Sequence, residues 1–239
     1  IPLSILFAYR HIIGDLSYNG IHQWIATGDH NLQVRSSDYD NGIIFNRIDD
    51  VSKIEGCNTR NVQYRWEIFI NALARLRNEQ AKVLKVLDFG AGSLRDTYHF
   101  SRLQYLVDAI DVNIDQLRSS YSKYDWSQVK YKPNISEGSL EVLSHINSGY
   151  DVILAFDVIE HLIALNHTVE QLRNKLNKDG MLFVSVPNRL TLFEKMFKAQ
   201  HERKLKKGTI DKSGIPHVNF MTPHEWKQYF IDRGFIVRD

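Results

Sequence analysis

A chain of 239 residues, 43% of them hydrophobic and with a formal net charge of +2, is long enough to bury one sizeable core. So even a charge balance names no polyanionic partner, and a single cysteine, Cys57, excludes an internal disulfide and a cysteine-built zinc site. No apolar run approaches the ~20 residues a bilayer-spanning helix needs, so the expectation is a cytoplasmic globular protein without a transmembrane segment.

In chain order, residues 1–13 (IPLSILFAYRHII) are apolar but lack a basic leader and a small-residue cleavage site, and read as a packed helix or strand. Residues 36–42 are turn-rich, and 43–54 suit a short strand or loop. Residues 61–77 are amphipathic at helical spacing, with Trp66, Phe69, Ile70, Leu73 and Leu76 on one side. Residues 1–82 are therefore expected to form a helical extension or cap packed on a domain of residues 83–239. Tyr39, Tyr64 and Trp66 could line an acceptor pocket there, or could be ordinary core or surface aromatics.

From residue 83 the pattern alternates. Lys85–Phe89 reads as a strand, Gly90-Ala91-Gly92 as a tight turn, and Arg95 as the start of a helix. A second strand over Leu106–Asp111, a helix over 114–124, a short strand over 129–132 and a helix over 139–146 follow. The fourth strand is 152–156, then a helix over 168–176, a turn at 177–180 and a strand over 181–188. Such alternation predicts an α/β fold whose mostly parallel, doubly wound sheet is covered on both faces.

The glycine turn and Asp111 carry the chemistry. In a doubly wound sheet the ends of the first two strands lie side by side, so backbone without a Cβ faces a ligand beside a carboxylate suited to a ribose diol. A dinucleotide site asks for a third small residue where this chain has Arg95, a bulky cation that fits the role poorly. Val86-Leu-Asp88-x-Gly90-x-Gly92 followed by Asp111 instead resembles motifs I and II of the class I S-adenosylmethionine (SAM) methyltransferases. Residues 151–162, ending Asp157-x-x-Glu160-His161-Leu162, resemble the fourth strand and its loop in that family's small-molecule branch. The later Pro187-Asn188 and His217…Met221-Thr-Pro-His-Glu-Trp226 segments continue the likeness, which spans residues 83–239. The family's sheet ends with strands six and seven, so this chain, stopping at Arg238-Asp239, is expected to be part of a longer protein with incomplete final strands.

The resemblance implies SAM as cofactor, bound by Asp88, Gly90, Ala91, Gly92, Asp111, Val112, Phe156 and Asp157. Asp88 would meet the methionine moiety or hydrogen-bond the loop. Where many relatives place an Asp for adenine, this chain has Asn134 to Ser139, with Glu137 or a backbone amide as substitutes. Methyl transfer to an oxygen, in preference to a nitrogen, of a small-molecule or glycan-like acceptor is expected, with His161, His217 and Asp157 as the catalytic set. The alternative for the two histidines is a structural role in the loop. Asp157, Glu160 and His161, with His217, also resemble the E-x-x-E-H…H metal site of small-RNA 2′-O-methyltransferases, with Asp where that site has its first Glu, but no metal is assigned. Residues 189–221 form a lid-like insertion rich in cations (Arg189, Lys195, Lys198, Arg203, Lys204, Lys206, Lys207, Lys212), either a solvated face or a recognition surface for phosphate. RNA is thus a second, less favoured partner, and a SAM-fold protein that binds without turnover is the non-enzymatic alternative.

Overall fold

The computed structural model describes the backbone of residues 3–10 and 23–24, and residues 83–190, 195–196, 199, 202–203 and 217–237. The strands are β1 (Leu3–Arg10), β2 (Gln23–Trp24), β3 (Lys85–Phe89), β4 (Leu106–Asp111), β5 (Asn134–Glu137), β6 (Tyr150–Phe156), β7 (Leu176–Pro187) and β8 (Phe235–Val237). Between them lie α1 (Arg95–Arg102), α2 (Ile114–Tyr121), α3 (Leu140–His145), a 3₁₀ turn at Ile159–His161, α4 (Leu165–Lys175) and α5 (Pro223–Ile231). They build one sheet in the order β2-β1-β7-β6-β3-β4-β5, with β8 also on β1, and every pairing except β1–β2 is parallel.

This order follows from composition. β6 is buried along its whole length, as only a strand covered on both faces can be. It stands between β3 and β7, and the chain runs outward from this pair in both directions, so the topological switch lies between β3 and β6. On one face Leu87, Ile153, Leu182 and Val184 pack with Leu143, Val169, Leu172, Trp226 and Phe230 from α3, α4 and α5. On the other, Ala91, Leu94, Ala109 and Leu117 join α1 and α2 to the sheet.

Capping explains where helices begin. The Asn113 side chain accepts from the Gln116 amide at the start of α2. At α5, Thr222 and Glu225 form a reciprocal capping box with Pro223 in the first turn. Those hydrogen bonds from Thr222, with Arg189 nearby, hold the Glu225 carboxyl below its usual range.

Three boundaries differ from the sequence reading. The third strand is Asn134–Glu137, not 129–132. The Val129 amide donates to Trp126 O and the Lys130 amide to the Gln104 side chain, and Pro133 has no N–H to give a ladder. Residues 177–180, expected as a free turn, lie inside β7, where the register jumps from Tyr150–Leu176 to Val152–Met181 and the intervening residues stand out of the ladder. In the N-terminal extension, expected to be helical overall with residues 1–13 open as helix or strand, the strand is realised: β1 pairs in parallel with β7 from Ser4–Met181 to Arg10–Pro187. A short apolar run does not distinguish helix from strand by its period, and the exposed ladder of β7 decides the matter here. The helix expected over 61–77, with Tyr64 and Trp66, lies outside the described residues, as do Tyr39 and most of the insertion expected over 189–221.

Phe230 is fully buried between α5 and the core, stacking on Trp226 and edge-on to Phe235. Truncation there leaves a cavity that rigid neighbours cannot fill. Phe230→Ala is expected to lower the unfolding free energy by about 3–5 kcal/mol, measured by guanidinium denaturation.

Candidate active site

The carboxyl ends of β3, β4 and β6 form a crevice at the switch point. β3 and β4 are in register from Lys85–Leu106 to Phe89–Ile110, so both strands end level. The amides of Gly90 and Ala91 then both donate to Ile110 O, at 2.8 and 3.0 Å, folding the glycine turn over the end of β4. Asp111 closes the turn: its Oδ2 accepts from the Gly92 amide at 2.8 Å and its Oδ1 from the Asn113 amide at 2.9 Å. Each carboxylate oxygen retains a second lone pair for a ligand.

The two glycines have different jobs. Gly90 has φ +81°, and a Cβ there would lie 2.2 Å from Val158 Cγ2. Its missing side chain makes room for Val158. Gly92 also has positive φ, but a Cβ built there has Gly90 O, 4.0 Å away, as its nearest neighbour. The open face is at Gly92. Ala91 is buried between these glycines, and Val112 is 56% exposed beside Asp111.

Asp88 is buried and its Oδ2 accepts from Thr97 Oγ1 at 2.6 Å, a tie from strand β3 to helix α1. Arg95, in the position that argued against a dinucleotide, pairs with its neighbour Asp96 at 2.9 Å. Glu137 is exposed and sits opposite Asp111 in the β4–β5 register.

At the end of β6, Phe156 is buried, and Asp157 adopts φ +54°, a left-handed conformation in which Asp is among the better-tolerated residues. Ser185 of β7 holds it twice, accepting the Asp157 amide at its carbonyl and donating its hydroxyl to Asp157 Oδ1, both at 2.9 Å. The chain then turns through Val158 into the 3₁₀ segment bearing Glu160 and His161. Glu160 is buried, with Oε1 4.0 Å from His161 Nε2.

His217, far along the sequence, lies beside them. Its ring centroid is 4.7 Å from that of His161 in an edge-on arrangement, and ligand atoms of Glu160, His161 and His217 all lie within 4.8 Å of one another. Two of the three residues expected to be catalytic thus come together, and the third, Asp157, lies just before the turn that carries His161. The sequence reading overlooked Val158, Ser185 and Asn219. Their signals are weak in isolation: an apolar residue after a strand, one hydroxyl in a buried strand, and one amide between apolar neighbours.

Residues 59–239 match a family described as a methyltransferase domain. The chain belongs to this family. The ubiquinone biosynthesis O-methyltransferase of Bartonella quintana is 28% identical over 65% of this chain and 62% of its own length. The chain thus spans about three-fifths of the curated relatives it matches. Two solved structures share the fold at 15% identity. The plantazolicin methyltransferase BpumL, in complex with SAH, has a TM-score of 0.52 over 83% of this chain and 73% of that one. The magnesium protoporphyrin IX methyltransferase ChlM from Synechocystis PCC 6803, with bound SAH, has a TM-score of 0.51 over 82% of this chain and 86% of that one.

In the crevice of this methyltransferase domain the space beside Gly92 is open, next to the Asp111 carboxylate. Gly90 carries the structural demand. Gly90→Ala is expected to cost about 2–4 kcal/mol, from positive φ and the collision with Val158. In chemical denaturation Val158→Ala should restore part of that loss in the double variant; equal losses with and without Val158 would show the contact to be irrelevant.

Proposed function

We propose that this domain transfers the methyl group of SAM to a hydroxyl oxygen of a small phenolic acceptor. The observation that carries this reading is the His161–His217 pair, placed at the carboxyl end of β6 next to the donor crevice. The named activity of the Bartonella relative supports the acceptor class.

In this reading Asp111 accepts hydrogen bonds from the ribose diol, the backbone at Ala91 and Gly92 faces the amino-acid part, and Val112 covers one side of the base. Phe156 and Asp157 border the reacting centre. The sulfonium supplies a methyl group already attached to a good leaving group, so the protein's tasks are alignment, exclusion of water and removal of the acceptor's proton. His161 or His217 takes that proton as the general base. Residues 189–221, as lid, and residues 1–82, as cap, define the acceptor pocket. The cytoplasmic setting belongs to the same proposal. Among the described residues no helix is long and apolar enough to cross a membrane.

A second reading rests on the same cluster. A buried carboxylate and two imidazoles with ligand atoms inside 4.8 Å are a donor set suited to a divalent cation, which would bind the acceptor oxygen and acidify its proton. RNA ribose then becomes a candidate acceptor beside a catechol.

Calorimetry with SAM and, in parallel, NADH checks the donor site. Asp111→Ala is expected to weaken SAM binding at least tenfold, because a charge-assisted hydrogen bond of about 1.5–3 kcal/mol is lost; unchanged affinity would reject the ribose assignment. Methyl transfer to a catechol panel, with and without EDTA, checks the acceptor side. His161→Ala and His217→Ala are expected to lower turnover by about 10²-fold while SAM affinity stays within twofold. Activity lost to EDTA and restored by Mg²⁺ or Zn²⁺ would establish the cation reading over the general base.

A further inference from the structure

Residues 217–222, which lead into α5, are tied to the 159–162 turn by specific hydrogen bonds. The amides of Val218 and Asn219 both donate to Glu160 O, at 2.8 and 2.9 Å. The Asn219 side-chain amide donates to Ile159 O at 2.9 Å and to Leu162 O at 2.7 Å. One side chain therefore spans both ends of the short turn that carries Glu160 and His161. With two carbonyl oxygens as partners, only the NH₂ end of the amide can face them, so its orientation follows from chemistry. A second tie stands behind the first: the Arg189 amide donates to Met221 O and its guanidinium reaches Phe220 O.

We infer that Asn219 is a positioning residue that clasps the returning lid segment onto the 159–162 turn and so assembles the Glu160–His161–His217 cluster. His217 directly precedes the two residues that make these bonds. Its ring meets that of His161 only because the backbone behind it is fixed to the His161 turn. No bond of the clasp involves the glycine turn or Asp111, so the donor half of the crevice forms without it. The clasp therefore bears on the Glu160–His161–His217 cluster and not on the glycine turn. This inference deepens the reading of His161 and His217 as the acceptor-side groups and rests on it.

Asn219→Asp separates positioning from packing. The side chain keeps its shape, but its oxygens face two carbonyl oxygens and it has no proton to donate at neutral pH. Three readouts are taken on wild type, Asn219→Asp and Asn219→Ala, all saturated with SAM. SAM affinity is expected to stay within twofold in both variants. Hydrogen exchange of the peptide covering 217–220 should accelerate at least tenfold, while that of helix α5 stays at the wild-type rate. Turnover of a catechol should fall at least tenfold through kcat, with Asn219→Asp no better than Asn219→Ala; small displacements of reacting groups have effects of this order. Wild-type exchange and turnover in Asn219→Asp would overturn the clasp, as would Asn219→Asp rescuing the loss seen in Asn219→Ala. Exchange decides the clasp even if the wild type methylates no catechol, a result that would count against the phenolic reading instead.

Discussion

The contact between Val158 and Gly90 holds the glycine turn against the turn that follows β6. Gly90 comes directly after β3, and Val158 opens the turn that carries Glu160 and His161. A side chain at position 90 would occupy the space of Val158 Cγ2. The two turns therefore approach as closely as backbone and a methyl group allow. Transfer between a donor and an acceptor needs that closeness, since a displacement is productive only when the reacting atoms meet at roughly 3–3.5 Å.

Around this contact the site is held by hydrogen bonds whose partners come from distant parts of the chain. Ser185 fixes the positive-φ Asp157 from the neighbouring strand. Asp111 gathers the amides of Gly92 and Asn113, so one carboxylate shapes both the glycine turn and the start of α2. Val218 and Asn219 bring in the far end of the insertion. Rigid strands supply the anchor points, while the loops between them supply the groups that meet ligands.

The fold was legible because its strongest signals are local. Lys85–Phe89 and Leu106–Asp111 are apolar runs ending at a glycine turn and an acid, and the structure starts and stops them where the sequence does. The strand at Asn134–Glu137 was not legible, since its polar residues resemble a loop and only the free edge of β4 selects it over 129–132. The pairing of His161 with His217 could be anticipated from motif order, because both follow strands whose carboxyl ends must share one side of the sheet. The clasp that makes the pairing specific could not. Asn219 carries no pattern of its own, and its partners are main-chain carbonyls, which every residue possesses.

The two edges of the sheet show why carboxylates of the same kind do different work. At the amino ends, Asp108 accepts from Tyr150 Oη at 2.6 Å and Asn134 Nδ2 at 2.7 Å, with Lys85 Nζ 3.9 Å away. Asp151 nearby accepts from the Lys85 amide and from Asn177 Nδ2. Burial, reinforced by Asp108, pushes the Tyr150 hydroxyl far above its ordinary range, so it remains a donor at any physiological pH. Groups from neighbouring strands engage these acids, and the result is stitching between strands. At the carboxyl ends, Asp111 takes its hydrogen bonds from backbone amides of its own loops and is partly exposed. The parallel sheet creates this asymmetry: every strand delivers its last residue, and the loop that follows, to the same edge. Acids at that edge meet the backbone of loops, whereas acids at the other meet groups of adjoining strands.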